Sequence, residues 1–487
     1  MTPLQSLSDL PTAVATPRYD RDAAGVGIVH VGLGAFMRAH LAVYTDDALA
    51  AEGGDWRITA IGLRSRDAID VLNKQNGLYT LVVRDAETSG RVIGSIADAI
   101  HAPSDPEAVL AALAAPGTRI VTITITEKGY GIDPATGGLD NTVPAIAADL
   151  ASDLSPPQSA VGLIVAGLER RRAHGVGPFT ALSCDNLPEN GRILKRLVLD
   201  FARRRDEDLA DWIEANARFP STMVDRITPP QTEKTRADAR ALTGADDLAA
   251  IETEPFSQWV IEDDFRAGRP AWEKGGAVMV KDVHAYERMK LVMLNGTHSM
   301  LAYAGHVAGH RFVRDTMADP DLKRLIDRHM QTAAATLDAV PGIDLDQYRQ
   351  ALLVRFANPA IDHPTYQIAM DGTQKLPTRI FDATLAAITR GADFGSFAFA
   401  TAAWMAYVKG AIGGAYAIRD PREAELLSAA SSAQLADGLL DALLALPGLV
   451  PTELRAHETF RQTVLSRLRV MLGDGMGAAI AKEAAAL

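Results

Sequence analysis

The sequence predicts an α/β architecture in its first part and a mainly α-helical one in its second. Three observations lead there. Across the first two-fifths of the chain, short apolar runs rich in β-branched residues alternate with segments of helical spacing. The first of these runs, GIVHVGLG (27–34), ends in a glycine turn that opens a helical segment. From about residue 285 the β runs give way to Ala-, Leu- and Met-rich stretches at helical spacing, such as LKRLIDRHMQTAAATLDAV (322–340) and ATLAAITR (383–390). Strands alternating with helices imply a parallel sheet whose ligand lies at the carboxyl ends of the strands. The change of character near 285–290 divides the chain into 1–286 and 287–487.

The elements follow in order. After the first strand, HLAVYTDDALA (40–50) has helical spacing, WRITAIGLR (56–64) reads as a second strand and RDAIDVLNKQ (66–75) as a helix. RIVTITIT (119–126) is a β-branched strand, and PFTALSCDN (178–186) is a short apolar run before a polar loop. The uncharged stretch Phe394 to Val408 is shorter than the roughly 20 apolar residues of a bilayer span, so it reads as a buried helix. The tail IAKEAAAL reads as a fraying helix, and there is no internal repeat or low-complexity tract.

Composition narrows the function classes. The 487 residues are 47% hydrophobic and 23% charged, which excludes wholesale disorder and an ordinary membrane protein. Lys and Arg number 49 against 61 Asp and Glu, a net charge of −12 that disfavours a duplex nucleic-acid partner. The single cysteine, Cys184, excludes an intramolecular disulfide framework and any Cys-rich zinc or iron–sulfur site. The histidines show no HxH or HExxH spacing, so no metal is expected. The opening residues, MTPLQSLSDLPTAVATPRYDRD, have no basic region followed by an apolar core, so the expected location is cytoplasmic.

The turn Gly32-Leu33-Gly34-Ala35-Phe36-Met37-Arg38 lies between a strand and a helix. Two glycines let a pyrophosphate approach the backbone, and the helix N-terminus supplies oriented N–H donors. This predicts a Rossmann-type dinucleotide-binding domain with Gly32, Gly34, Phe36 and Arg38 at the cofactor, although the usual third glycine is replaced by Met37. A carboxylate after the second strand accepts from a ribose 2′-hydroxyl and repels a 2′-phosphate. Asp67 stands there, farther along than the usual ~20 residues. It favours NAD, whereas Arg64 and Arg66 beside it suit the 2′-phosphate of NADP.

The segment Tyr286-Glu287-Arg288-Met289-Lys290-Leu291-Val292-Met293-Leu294-Asn295-Gly296-Thr297-His298 carries the most chemistry. At 3.6 residues per turn, Glu287, Lys290, Asn295 and His298 fall within an arc of roughly 140°. One apolar helix then presents a carboxylate, an amine, an amide and an imidazole to one side. Burial lowers a lysine's pKa toward a value useful in a general base. An amide can donate to a developing alkoxide. A helix with scattered polar faces is the plainer reading of the same spacing.

The pattern Lys-x4-Asn-x2-His resembles the signature of the mannitol dehydrogenase family, the long-chain polyol-specific dehydrogenases. The resemblance extends through GIVHVGLGAFMRAH, TEKGY (126–130), SCDN (183–186), FPSTMVDRITP (219–229), EPFSQWVIEDDF (254–265), GRPAWEK (268–274) and KLVMLNGTHS (290–299). It implies a zinc-independent, NAD(H)-dependent oxidoreductase acting on a small-molecule secondary alcohol, with no nucleic-acid or membrane partner, as a monomer or weak homo-oligomer. It implies Lys290 as general base, Asn186 and Asn295 as amide donors to the carbinol oxygen, and His298 at a substrate hydroxyl. Glu287 resembles the carboxylate that passes the proton to solvent. Asp225 and Lys375 match substrate-pocket residues.

Family members acting on mannitol tend to carry Arg where Gln367 stands. The Gln form, together with TEKGY in place of TEGGY, looks more like the members that interconvert D-mannonate and D-fructuronate. A substrate carboxylate needs a cation or N–H donors, for which Arg379 and Lys375 are candidates. D-mannitol/D-fructose is the alternative pair, and an inactive dinucleotide-binding sensor is the alternative outside enzymes.

Overall fold

The computed structural model describes residues 3–8, 10–152, 157–412 and 414–487. The chain forms two compact units, Met1–His284 and Ala285–Leu487.

The strands of the first unit are β1 (Val26–Val31), β2 (Arg57–Gly62), β3 (Tyr79–Val83), β4 (Ser89–Ile93), β5 (Ile96–His101), β6 (Ile120–Ile123), β7 (Thr180–Ser183), β8 (Thr222–Asp225), β9 (Ile251–Thr253), β10 (Gln258–Glu262) and β11 (Val278–Val280). Five of them make a parallel sheet in the order β5-β2-β1-β6-β7. The chain runs outward from β1 through β2 to β5, then returns to the other side of β1 for β6 and β7. The strand order therefore reverses between β1 and β6, which opens a crevice at their carboxyl ends, where doubly wound sheets bind ligands.

Alternate residues of these strands face opposite layers. Val29, Val31, Val121 and Ile123 pack with the helices Pro106–Ala114, Ala160–Ala173 and Asn190–Arg203. Ile28, Ile58, Ala60 and Ile120 face the opposite layer, with the helix Leu41–Glu52 and the buried Trp259 and Trp272. A sheet covered on both faces accounts for near-continuous apolar runs rather than alternating ones.

The strand read as RIVTITIT ends early, at Ile123. Three residues later, Thr126 has φ +64° and ψ 160°, a region that a β-branched residue rarely enters. Two further three-stranded sheets, β4-β3-β9 and β11-β10-β8, were not legible in the sequence. β9 and β11 are only three residues long, too short for a periodicity to show.

The second unit is helical. The uncharged stretch forms the helix Gly395–Gly410, whose residues Phe397 to Val408 are all buried, and IAKEAAAL closes the helix Met476–Ala485. Among the described residues, no helix is long and apolar enough to cross a membrane. Two segments depart from α geometry. The rod His284–Val307 runs as α-helix to Met289, as π-helix from Lys290 to Gly296, and as α-helix again from Thr297. A second π turn, Pro377–Phe381, joins the helices Gly372–Leu376 and Asp382–Thr389. Wide turns of this kind are rare and concentrate at functional sites.

Candidate functional site

In the first unit the polar residues collect at the carboxyl ends of β1, β6 and β7. Gly32 has φ +106°, and a Cβ there would lie 2.0 Å from the Thr124 carbonyl oxygen, so glycine is required by the fold. Gly34 is different. Its backbone is extended, and an added Cβ would meet only the Gly32 carbonyl oxygen, at 3.8 Å. The protein's own packing leaves room at Gly34, and the helix Ala35–Ala39 begins there without a side-chain cap. Open space beside uncapped N–H donors suits a backbone-hugging pyrophosphate.

That helix is held firmly. The Tyr79 hydroxyl donates to the Arg38 carbonyl at 2.6 Å. The Arg226 guanidinium donates to the carbonyls of Ala39 (2.5 Å) and Glu254 (3.2 Å). Arg38, expected at a phosphate, donates to the Ala249 carbonyl at 2.7 Å and back to Gly34 at 3.3 Å, so much of its hydrogen bonding goes to the scaffold. Phe36 stacks on His40 with ring centroids 4.9 Å apart.

His30 lies fully buried under the turn. Its Nε2 meets the Gly32 carbonyl (3.2 Å) and the Thr124 hydroxyl (2.9 Å), and the latter itself donates to Gly32. A carbonyl only accepts, so Nε2 carries the proton and Nδ1 accepts from Thr122 at 2.8 Å. Burial pushes the imidazole pKa down to about 3, so it stays neutral.

Asp185 ties two loops together. Its carboxylate accepts from the backbone N–H of Ile125 (2.9 Å) and Thr126 (3.1 Å) and from the Tyr130 hydroxyl (2.8 Å). The unusual Thr126 backbone is thus held by a carboxylate from the loop after β7. Asn186, the next residue, is exposed. Sequence reasoning missed Asp185, Tyr130, Arg226 and His30 as parts of this construction. Their segments were visible as motifs, but hydrogen bonds between residues distant in sequence leave no periodic signal.

Asp67 starts the helix Asp67–Lys74 and is exposed. Of the arginines beside it, Arg66 pairs with Asp70 at 3.1 Å. Asp225 is the last residue of β8, opposite Gln258 of β10, and is buried.

In the second unit, the helix read at 3.6 residues per turn is π-helical where it matters. Five residues of α-helix rotate by about 140°, which sets Lys290 and Asn295 well apart around the axis. A π turn closes i to i+5, so these two residues lie about one turn apart, one above the other along the helix. Lys290 and His298 are buried, and Glu287 and Asn295 half-buried. The two π turns touch: a Cβ on Gly296 would lie 3.0 Å from the Arg379 carbonyl oxygen. Arg379 reaches back to the first turn, donating to the Asn295 carbonyl and the Ser299 hydroxyl, both at 3.4 Å.

The His298 ring stacks on Phe356 (4.5 Å, 26°) and meets His363 edge-on (5.3 Å, 83°). Its Nε2 is buried with no hydrogen-bond partner among the described residues. Burial, then the fields of His363, Arg355, Arg379 and Lys290, hold its pKa well below the ordinary imidazole range. A buried imidazole nitrogen without a partner costs about 1–3 kcal/mol, a cost that a ligand hydroxyl removes.

The outer residues are more loosely grouped. Lys375 donates to the carbonyls of Met370 (2.6 Å) and Ile368 (3.3 Å) and lies 3.9 Å from Asp371, so it braces the end of the helix Thr365–Ala369. Gln367 is exposed on that helix. The structure thus brings Lys290, Asn295, His298 and Arg379 together within this unit, with Lys375 and Gln367 farther out. Among the described residues, no group of three His, Cys, Asp or Glu side chains is arranged to hold a metal ion.

Comparison with known proteins follows the same division. Residues 26–274 match the mannitol dehydrogenase Rossmann domain, and residues 282–472 match the mannitol dehydrogenase C-terminal domain. An oxidoreductase of Escherichia coli (strain K12) designated YeiQ is 45% identical over 439 residues, spanning 88% of this chain and 90% of the relative. The D-mannonate oxidoreductase of the same organism is 43% identical over 461 residues, 93% of this chain and 94% of the relative. The solved ternary complex of Pseudomonas fluorescens mannitol 2-dehydrogenase with NAD and D-mannitol superposes with a TM-score of 0.83 at 38% identity, covering 99% of both chains.

Proposed function

The chain belongs to the mannitol dehydrogenase family of oxidoreductases, and from that premise we propose that it interconverts D-mannonate and D-fructuronate with NAD(H). The observation that carries the chemistry is the buried pair Lys290 and His298 on one helical rod, with the His298 Nε2 lacking a partner.

Lys290, buried at the start of the π turn, takes the proton of the secondary alcohol in oxidation and returns it in reduction. The amide of Asn295, one π turn on, donates to the carbinol oxygen as negative charge builds there. Asn186 of the first unit has the same role in the resemblance. His298 is held neutral, so it can exchange a hydrogen bond with a substrate hydroxyl rather than compete for the proton. Glu287, half-buried three residues before Lys290, suits the onward transfer of that proton to solvent.

The nicotinamide cofactor supplies the hydride acceptor or donor when bound. Gly32, Gly34, Phe36 and Arg38 would hold its pyrophosphate side, and the open, uncapped turn at Gly34 fits it. Asp67 favours a 2′-hydroxyl, and the neighbouring Arg66 is paired with Asp70. Arg379, set beside Asn295, is one candidate cation for a substrate carboxylate, and Asp225, Lys375 and Gln367 are further substrate contacts.

The reading is tested by following NADH oxidation in parallel with fructuronate, fructose and tagaturonate. Fructuronate is expected to be reduced with the highest kcat/KM. A strong preference for fructose overturns the substrate assignment in favour of the mannitol pair.

A further inference from the structure

The cations around His298 do not come from the π turns alone. Arg355 sits on the last turn of the helix Leu345–Phe356, directly before Phe356, whose ring stacks on His298. His363, edge-on to His298, is fixed by its backbone carbonyl, which accepts from Val313 N–H at 3.0 Å, and by the proline that follows it. Two side chains from the single stretch 356–363 thus contact the His298 ring.

Resting on the sugar-acid reading above, we infer that Arg355 and His363 are specificity-determining residues that receive the carboxylate end of the substrate beside His298. Four positive groups of this unit act on the two imidazoles: Lys290, Arg379 and Arg355 at His298, and Arg355 and Lys375 at His363. Arg355 is the cation that acts on both. Burial chiefly keeps protons off both rings, and the cations add a positive potential, which attracts an anion. Both imidazoles then remain neutral, so each keeps one N–H to donate to a carboxylate oxygen while the guanidinium supplies charge. A neutral hexitol gains little from such a potential.

The test compares an anionic and a neutral ketose on the full-length enzyme. Steady-state kcat and KM are measured with fructuronate and with fructose for the wild type, Arg355→Gln, Arg355→Lys and His363→Gln. Arg355→Gln is expected to lower kcat/KM for fructuronate by about 10- to 100-fold, mainly through KM, while fructose changes by less than about threefold. Arg355→Lys should recover part of that loss, because the charge is retained. His363→Gln keeps an N–H donor and should show a smaller loss with the same selectivity. Equal losses on both ketoses, or no loss on fructuronate, overturn this inference while leaving the substrate reading in place. A wild-type enzyme inactive on fructuronate overturns the substrate reading, and this inference with it. If Arg355→Gln does not fold, the other two variants decide by the same criteria.

Discussion

His30 and His298 are both buried imidazoles kept neutral by burial, yet they do opposite things. His30 lies in a strand of the first unit with both ring nitrogens hydrogen-bonded to residues that shape the glycine turn. His298 lies on a helix of the second unit with one nitrogen partnerless and cations around it. The contrast separates scaffold from site. At His30 the ring nitrogens are answered from within the fold, and the side chain fixes geometry. At His298 one nitrogen is open, which fits the substrate contact proposed above.

The largest expected effect falls on the side of the site. Replacing Lys290 by Ala should lower kcat by about 10²- to 10⁴-fold, the range of general acid–base catalysis, with NADH affinity nearly unchanged by fluorescence titration. Near-normal kcat would remove the general base from the second unit.

The two histidines can then be exchanged for leucine in parallel. His298→Leu should cost about 100-fold in kcat/KM but less than ~1 kcal/mol of stability, since an orphaned polar atom disappears with the ring. His30→Leu should lower the unfolding free energy measured in urea by about 2–4 kcal/mol, because the Thr122 and Thr124 hydroxyls and the Gly32 carbonyl lose a partner. Similar stability losses in both variants would break the distinction drawn above.

Acid should act on both regions. The folded pKa values of His30 (about 3), His329 (about 4) and His298 lie below the ordinary imidazole value, so the folded chain binds fewer protons than the unfolded one. Stability is therefore fully present above roughly pH 6.5. It should fall as the pH drops below that, by about 1.4 kcal/mol per pH unit for each such imidazole, until the folded pKa is reached. Urea midpoints between pH 7 and 5 read this slope, and His30→Leu should make it shallower. A slope unchanged by that substitution would mean His30 is not a buried neutral group.

The smallest effect is expected at Asp67, which is exposed. Asp67→Ala should move the NAD/NADP preference toward NADP by roughly two- to fivefold. An unchanged ratio of kcat/KM values would dismiss its role at the ribose.

Much of this molecule was readable in one dimension. Apolar runs of the right length announced β1, β2, β6 and β7, because a strand covered on both faces must be apolar throughout. The glycine turn and the Lys-x4-Asn-x2-His spacing announced the two chemical segments, because their residue types are unusual for where they stand. Tertiary structure decided the rest. The π turn at Lys290–Gly296 looks like ordinary helix in sequence, since i to i+5 bonding depends on what packs against it, here the second π turn near Arg379. The Asp185 clamp on Thr126, the seat of His30 between β1 and β6, and the contacts of Phe356 and His363 with His298 join residues far apart in the chain. Local pattern fixes which segments carry chemistry, whereas long-range hydrogen bonds and fields fix which groups stay neutral, which stay unpaired, and hence which are open to a ligand.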